Sequence, residues 1–203
     1  MAERKRVGIL ISGRGSNMSA LVAAAQAPGC PYEVALVFSN VADAPGLAIA
    51  EAAGVPTASL DHRGHGGRAL FDAKVDAILR DAGCDLVALA GYMRLLSDDF
   101  VAAWEGRMIN IHPSLLPSFK GVDTHARAIA AGCRLHGCTV HLVTPELDSG
   151  PIIAQAAVPV MDDDTPDALA ARVLVEEHRL YPQALAALAS GRLRVEGQRV
   201  LGF

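Results

Sequence analysis

Short apolar runs alternate with helical stretches through the first half of the chain, and this alternation restricts the fold more than any other feature. Val7–Ser12, Val34–Ser39, Val55–Leu60, Leu86–Ala90 and Met108–Ile111 read as strands of four to six residues. Ser16–Ala27, Asp43–Ala53 and a segment from Arg68 to Asp81 read as helices; the first is closed by Pro28-Gly29 and the second by Gly54. Strands and helices in this order imply a parallel sheet with helices on both faces. Right-handed crossovers then bring the C-terminal end of every strand to one edge.

The pattern changes after His112. A loop carrying Pro113, Pro117 and Gly121 leads into a helix over Thr124–Ala131. Two β-like runs follow, Thr139–Val143 and Ile152–Val160, joined by a turn around Asp148-Ser149-Gly150-Pro151. Thr165 is a good N-cap, Pro166 suits the first helical position and Asp167 the positive helix end. The helix they open should reach Ser190 and stop at Gly191, with a kink or break at Pro182. A short tail remains. The expected architecture is α/β, a Rossmann-like three-layer fold with a parallel N-terminal sheet and antiparallel strands added by the C-terminal half. No repeat or long linker divides the chain, so one domain over residues 1–203 is expected.

Composition narrows the class of partner. Of the 203 residues 51% are apolar but only 4% aromatic, which suits Ala-rich helices packed closely on a Val/Ile/Leu sheet. No apolar run approaches the roughly 18 residues of a membrane span. The charged start, Met1–Arg6, lacks the apolar core of a signal peptide, and a cytoplasmic protein is expected. A net charge of −4 without a basic run argues against nucleic acid; an anionic small molecule needs only a few donors. Cys30, Cys84, Cys133 and Cys138 form no CxxC pair and read as reduced, structural thiols. His62 and His65 share a glycine-rich loop, and no metal site is expected there.

Two motifs stand at the predicted sheet edge. Gly13-Arg14-Gly15-Ser16-Asn17 joins the first strand to the first helix. Its glycines allow close backbone approach, and the helix start offers free N–H groups to an anion. It is a poor dinucleotide fingerprint, because Met18 holds the third glycine position and no acid ends the second strand. A monophosphate fits better; a plain glycine turn with Ser16 as N-cap is the alternative. The second motif is Asn110-Ile111-His112-Pro113. Residues two apart on a strand face one side, so an amide and an imidazole stand together where ligands of parallel sheets bind. That pair suits a developing oxyanion. Asp148, otherwise an ordinary turn residue, would favour the charged imidazolium if it reaches His112.

The strings ILISGRGSN, AGYMRLLS, INIHPSLLP, HLVTPELDSGPII and VEEHRLYP span nearly the whole chain. In them the chain resembles the phosphoribosylglycinamide formyltransferase family of folate-dependent formyltransferases. The resemblance implies transfer of the formyl group of 10-formyltetrahydrofolate to the amine of 5'-phosphoribosylglycinamide, in de novo purine synthesis. It implies Asn110, His112 and Asp148 as the catalytic set, with the ribonucleotide on Gly15, Ser16, Asn17 and Glu177. The folate would lie against Met93, Arg94, Leu95 and Leu96, against Asn110, and against Thr144, Pro145, Glu146, Leu147 and Asp148. Arg68 would meet its glutamate tail. Residues 1–112 would form the nucleotide- and phosphate-binding half, and 113–203 the folate-binding and catalytic half. Only small molecules are expected as substrates, with the chain a monomer or homodimer. The segment KGVDTH (Lys120–His125) and Ser149 depart from the family's pattern and put loop geometry in question.

HPSLLP alone also fits methionyl-tRNA formyltransferases and a formyltetrahydrofolate hydrolase. The first would call for a C-terminal domain and a basic surface, the second for an N-terminal regulatory domain, and neither is read here. A non-catalytic nucleotide-binding module would have no use for the Asn110/His112/Asp148 set.

Overall fold

The computed structural model describes residues 3–61 and 63–203. Met1, Ala2 and His62 lie outside the described residues, and with His62 goes the question of a His62/His65 pair. A single sheet links β1 (Lys5–Ile11), β2 (Tyr32–Ser39), β3 (Thr57–Ser59), β4 (Leu86–Leu89), β5 (Met108–His112), β6 (Leu135–Leu142), β7 (Ile152–Pro159), β8 (Arg194–Glu196) and β9 (Arg199–Leu201). The helices are α1 (Ser16–Ala25), α2 (Pro45–Ala52), α3 (Arg68–Asp81), α4 (Asp98–Ala103), α5 (Thr124–Ala130) and α6 (Pro166–Ala189). The strand order is β3-β2-β1-β4-β5-β6-β7-β9-β8. The first five strands are parallel. β6 pairs antiparallel to β5 and to β7, while β9 joins β7 in parallel and β8 closes the edge. The mixed α/β architecture expected from the alternation is the one observed.

Side chains alternate between the two faces as the pleat requires. On β1, Val7, Ile9 and Ile11 enter one core, shared with α1, α2 and α6. Leu10 enters the other, with Phe71, Val75 and Leu79 of α3 and with Phe100 and Trp104 in and beside α4. Every residue from Val7 to Ile11 is buried. Each fully buried Ile or Leu contributes about 1.5–3 kcal/mol, which makes β1 the anchor between the layers. Crossovers run one way from β1 to β2 and the other way from β3 back to β4, so β1 and β4 flank the switch point where such sheets bind ligands.

Four local expectations need correction. α4 has no counterpart among the expected elements, because six residues are too few to show a helical period; Ser97 caps it, its Oγ accepting from Phe100 N at 3.4 Å. β6 begins at Leu135 rather than Thr139, since His136 and Gly137 interrupt the apolar pattern. Gly137 is required there, as a Cβ would stand 1.9 Å from the Ala156 carbonyl oxygen on β7. The tail forms the β8–β9 hairpin, whose three-residue strands are too short to show an alternating pattern. Finally, of the kink or break expected at Pro182 the break does not occur, α6 being continuous through it. Tyr181, Ala184 and Leu185 are wholly buried around the proline, and tertiary packing of this kind outweighs local propensity. The Thr165 cap is as expected, its Oγ accepting from Ala168 N at 3.2 Å.

Candidate active site

A cavity of about 860 Å3 opens at the C-terminal edge of the parallel strands. It is floored by β5, where Asn110 and His112 both face it, and Asp148 reaches it from the loop after β6. The loop after His112 is pinned by the neighbouring strand. Thr139 lies opposite His112 in the β5–β6 register. Its Oγ1 donates to the Ser114 carbonyl at 2.7 Å and accepts from Leu116 N at 3.0 Å. Strand, proline stop and hydroxyl clasp together fix where the imidazole stands.

The His112 ring is 5% exposed, and each nitrogen faces an acceptor. Nε2 lies 3.0 Å from the Phe119 carbonyl oxygen, which can only accept, so Nε2 carries a proton. Nδ1 is 3.5 Å from Asp148 Oδ2. At that distance Asp148 is a charge neighbour rather than a hydrogen-bond partner, so an Nδ1–H of an imidazolium stays open to a ligand. Because Phe119 occupies Nε2, the nitrogen left for chemistry is Nδ1, on the carboxylate side. Asp148 itself is turned by a left-handed backbone, φ 48°, and its Oδ2 accepts from Gly121 N at 2.9 Å.

His141 completes this cluster, and the sequence reading passed over it. Its Nδ1 donates to the Leu142 carbonyl at 2.9 Å, and its Nε2 lies 3.2 Å from Asn110 Nδ2. Burial pushes the His141 pKa down, assisted by the neighbouring His112 and opposed by Leu142 and Asp148. A neutral ring with Nδ1 protonated leaves Nε2 to accept one Asn110 N–H, which fixes the amide and leaves its other N–H for the cavity. The signal was available: Thr139 and His141 lie two apart on a strand, facing His112 and Asn110 across the β5–β6 register.

On the other flank Asn17, at the start of α1, donates through Nδ2 to Glu177 Oε2 at 2.7 Å. Both line the cavity. Asn17 Oδ1 is buried without a partner. Burial raises the Glu177 pKa, with the Asn17 amide opposing. Tyr181, one turn further along α6, donates its hydroxyl to the Leu89 and Ile109 carbonyls at 2.9 and 3.2 Å. Residues four apart share a helix face, so docking Tyr181 on β4 and β5 aims Glu177 at the cavity. Gly15 and Ser16 are not among the cavity's lining residues; they stand beside it. Gly15, not Ser16, is the N-cap of α1, with φ 73° and no side-chain cap. The first N–H groups of α1 therefore have no side chain competing for them. A Cβ on Gly15 would also come within 2.9 Å of Met18 Cε and 3.2 Å of Gly46 Cα.

The remaining predicted positions divide in the same way. Arg68 opens α3 and lines the cavity, as do Met93, Arg94, Leu95 and Leu96 on the loop after β4. Ser12 ties that loop to β1, its Oγ accepting from Met93 N at 2.8 Å. The Arg94 guanidinium stacks on Phe71 at 4.5 Å. Thr144, Pro145 and Leu147 form the facing wall, and Met93, Leu95 and Leu147 leave an exposed apolar lip. Glu146 does not line the cavity; it turns outward to Lys120, 3.4 Å away. Among the described residues no three His, Cys, Asp or Glu side chains are placed to hold a metal, and no helix is long and apolar enough to cross a membrane.

Beneath the same loop His136 is 1% exposed, edge-on to the Phe119 and His125 rings. Burial pulls its pKa from 6.5 to about 4, helped by His125 and His112 and opposed by the Pro113 backbone. A lowered histidine pKa means that the unfolded chain takes the proton first as pH falls. The stability it supports is full above pH 6.5 and is lost toward about 4. Melting temperatures across that window should fall, and His136→Gln should flatten the decline; an unchanged slope would show that His136 is not its source.

Asn110, His112 and Asp148 thus meet in one cavity at the sheet edge, beside the open start of α1. The chain belongs to the formyl transferase family, whose profile matches residues 5–185. It is similar to a phosphoribosylglycinamide formyltransferase of Escherichia coli (strain K12), 43% identical over 95% of this chain and 94% of that one. Among solved structures it resembles glycinamide ribonucleotide transformylase 1 from Symbiobacterium toebii. There the TM-score is 0.96 and the identity 46%, over 98% of this chain and 94% of that one. The phosphoribosylglycinamide formyltransferase from Brucella melitensis is 55% identical with TM-score 0.89, over 96% and 100%. The trifunctional purine biosynthetic protein adenosine-3 of Gallus gallus is 49% identical over 94% of this chain, which spans 19% of that protein's length.

Proposed function

We propose that the chain transfers the formyl group of 10-formyltetrahydrofolate to the amine of 5'-phosphoribosylglycinamide, a step of purine synthesis. The observation that carries this reading is the convergence of Asn110, His112 and Asp148 at one end of a cavity whose two flanks suit the two substrates. The phosphate would sit on the N–H groups of Gly15, Ser16 and Asn17 at the open start of α1, where the helix dipole favours an anion. Glu177 and Asn17 would take the ribose hydroxyls. The flat pterin would lie between Met93–Leu96 and Thr144–Asp148, with its acidic tail toward Arg68.

The neutral amine attacks the formyl carbon, and the carbonyl electrons move onto oxygen. Asn110 Nδ2–H and the protonated Nδ1 of His112 would hydrogen-bond that oxyanion. Collapse breaks the bond from carbon to the folate nitrogen, which takes up the proton the amine gives away. Asp148, beside Nδ1, would hold the imidazolium and pass that proton. A single oxyanion donor contributes about 3–4 kcal/mol to lowering the barrier. The test is a comparison of acceptors with purified protein. Turnover should be found with the ribonucleotide amine, and only traces with water or charged initiator tRNA. Preference for either of those would replace this reading with hydrolase or tRNA formylation.

Gly15→Val probes the phosphate assignment. A side chain at φ 73° is strained and blocks backbone approach to an anion. Ribonucleotide affinity should fall far more than folate affinity in calorimetric titrations of a variant shown to be folded. Equal losses would remove the phosphate from this loop.

A further inference from the structure

Both poles of the His112–Asp148 pair are held by the backbone of one loop. The Phe119 carbonyl accepts from His112 Nε2 at 3.0 Å, and Gly121 N donates to Asp148 Oδ2 at 2.9 Å. Phe119 and Asp123 both have positive φ, 56° and 57°, conformations that non-glycine residues seldom adopt unsupported. Something must hold this loop in shape, and two cations do so.

Arg127, on α5, reaches back over the loop. Its Nη1 donates to the Lys120 carbonyl at 2.7 Å and to the Val122 carbonyl at 3.1 Å. Its guanidinium also lies over the Phe119 ring at 5.5 Å. Lys120 ties the loop to the turn that carries Asp148. Its Nζ donates to Ser149 Oγ at 2.5 Å and stands 3.4 Å from Glu146 Oε1. Ser149 Oγ in turn donates to the Leu147 carbonyl at 2.9 Å. Lys120 and Ser149, which depart separately from the expected pattern, are thus partners.

We propose that Arg127 and Lys120 are positioning residues for catalysis: they lock the 119–123 loop so that its backbone sets the distance and orientation between His112 and Asp148. Arg127 shapes the loop from behind, and Lys120 joins it to the Asp148 turn through Ser149. Neither acts on substrate. The inference rests on the catalytic reading of His112 and Asp148.

The test compares Arg127→Met, Arg127→Lys, Lys120→Met, Ser149→Ala and the Lys120→Met/Ser149→Ala pair. Arg127→Met and Lys120→Met should each lower kcat about tenfold or more, with KM for both substrates within twofold and the melting temperature little changed. Arg127→Lys should recover most of the rate, because an ammonium can still donate to both carbonyls. Ser149→Ala should match Lys120→Met, and the double variant should be no worse than either, as for two members of one contact. The His112 ring resonances in protein labelled with 15N-histidine should move in Arg127→Met and return in Arg127→Lys. Wild-type kcat in Arg127→Met and Lys120→Met, or a loss tracking melting temperature and KM alike, would overturn the inference. If His112→Ala and Asp148→Asn are also active, the underlying catalytic reading fails instead; if they are inactive, only the positioning role does.

Discussion

Asp148→Asn should lower turnover by about three to four powers of ten, the order seen when a carboxylate orienting a catalytic histidine is lost elsewhere. The substitution is nearly isosteric. Asparagine tolerates the left-handed backbone that Asp148 adopts, φ 48°, at least as well as aspartate does. Its amide oxygen can still accept from Gly121 N, so the turn should keep its shape. What goes is the negative charge 3.5 Å from His112 Nδ1. An amide cannot favour the imidazolium, and it cannot take up a proton in transit. Single-turnover rates against pH, with a melting curve for each protein, separate the two readings. A folded variant with wild-type turnover would leave Asp148 as a turn residue.

His112→Ala should cost about three powers of ten or more. It removes the Nδ1 donor and the group that Asp148 orients. The ring lies at the cavity wall, so water can enter the space left and satisfy the Phe119 carbonyl. The stability loss should stay near the 1–3 kcal/mol of a disrupted buried hydrogen bond. Steady-state kinetics and thermal melting on one preparation decide it; near-normal turnover in a folded variant would end the catalytic role. If His112 and Asp148 work as a pair, the double variant should be little worse than the worse single one.

Much of the fold could be read from the chain because its cues are periodic. β1, β2 and β4 are runs of apolar residues buried on both faces, and such runs interrupted by helices admit few arrangements. That Asn110 and His112 face one cavity at the sheet edge followed from position, since they close an apolar strand and Pro113 ends it. What stayed hidden depends on partners distant in sequence. His141 gains meaning only when β6 pairs with β5 in the register that sets it opposite Asn110. Lys120, Ser149 and Arg127 look like surface residues until the 119–123 loop and the Asp148 turn meet. α6 persists through Pro182 because Tyr181 and Leu185 are packed, which no local propensity reveals. The open cap of α1 turns on the φ of Gly15, where Ser16 invited the opposite reading.

The central claim is that a formyl group leaves a folate and arrives on the ribonucleotide amine. It is tested most directly by a single turnover with enzyme in excess and 13C in the formyl group of 10-formyltetrahydrofolate. NMR then follows where the label goes. The predicted result is that the label lost from the folate appears quantitatively as the formamide carbon of the ribonucleotide, one per tetrahydrofolate released, with no labelled formate. Label appearing as formate, or remaining on the folate while the ribonucleotide is unchanged, would contradict the account.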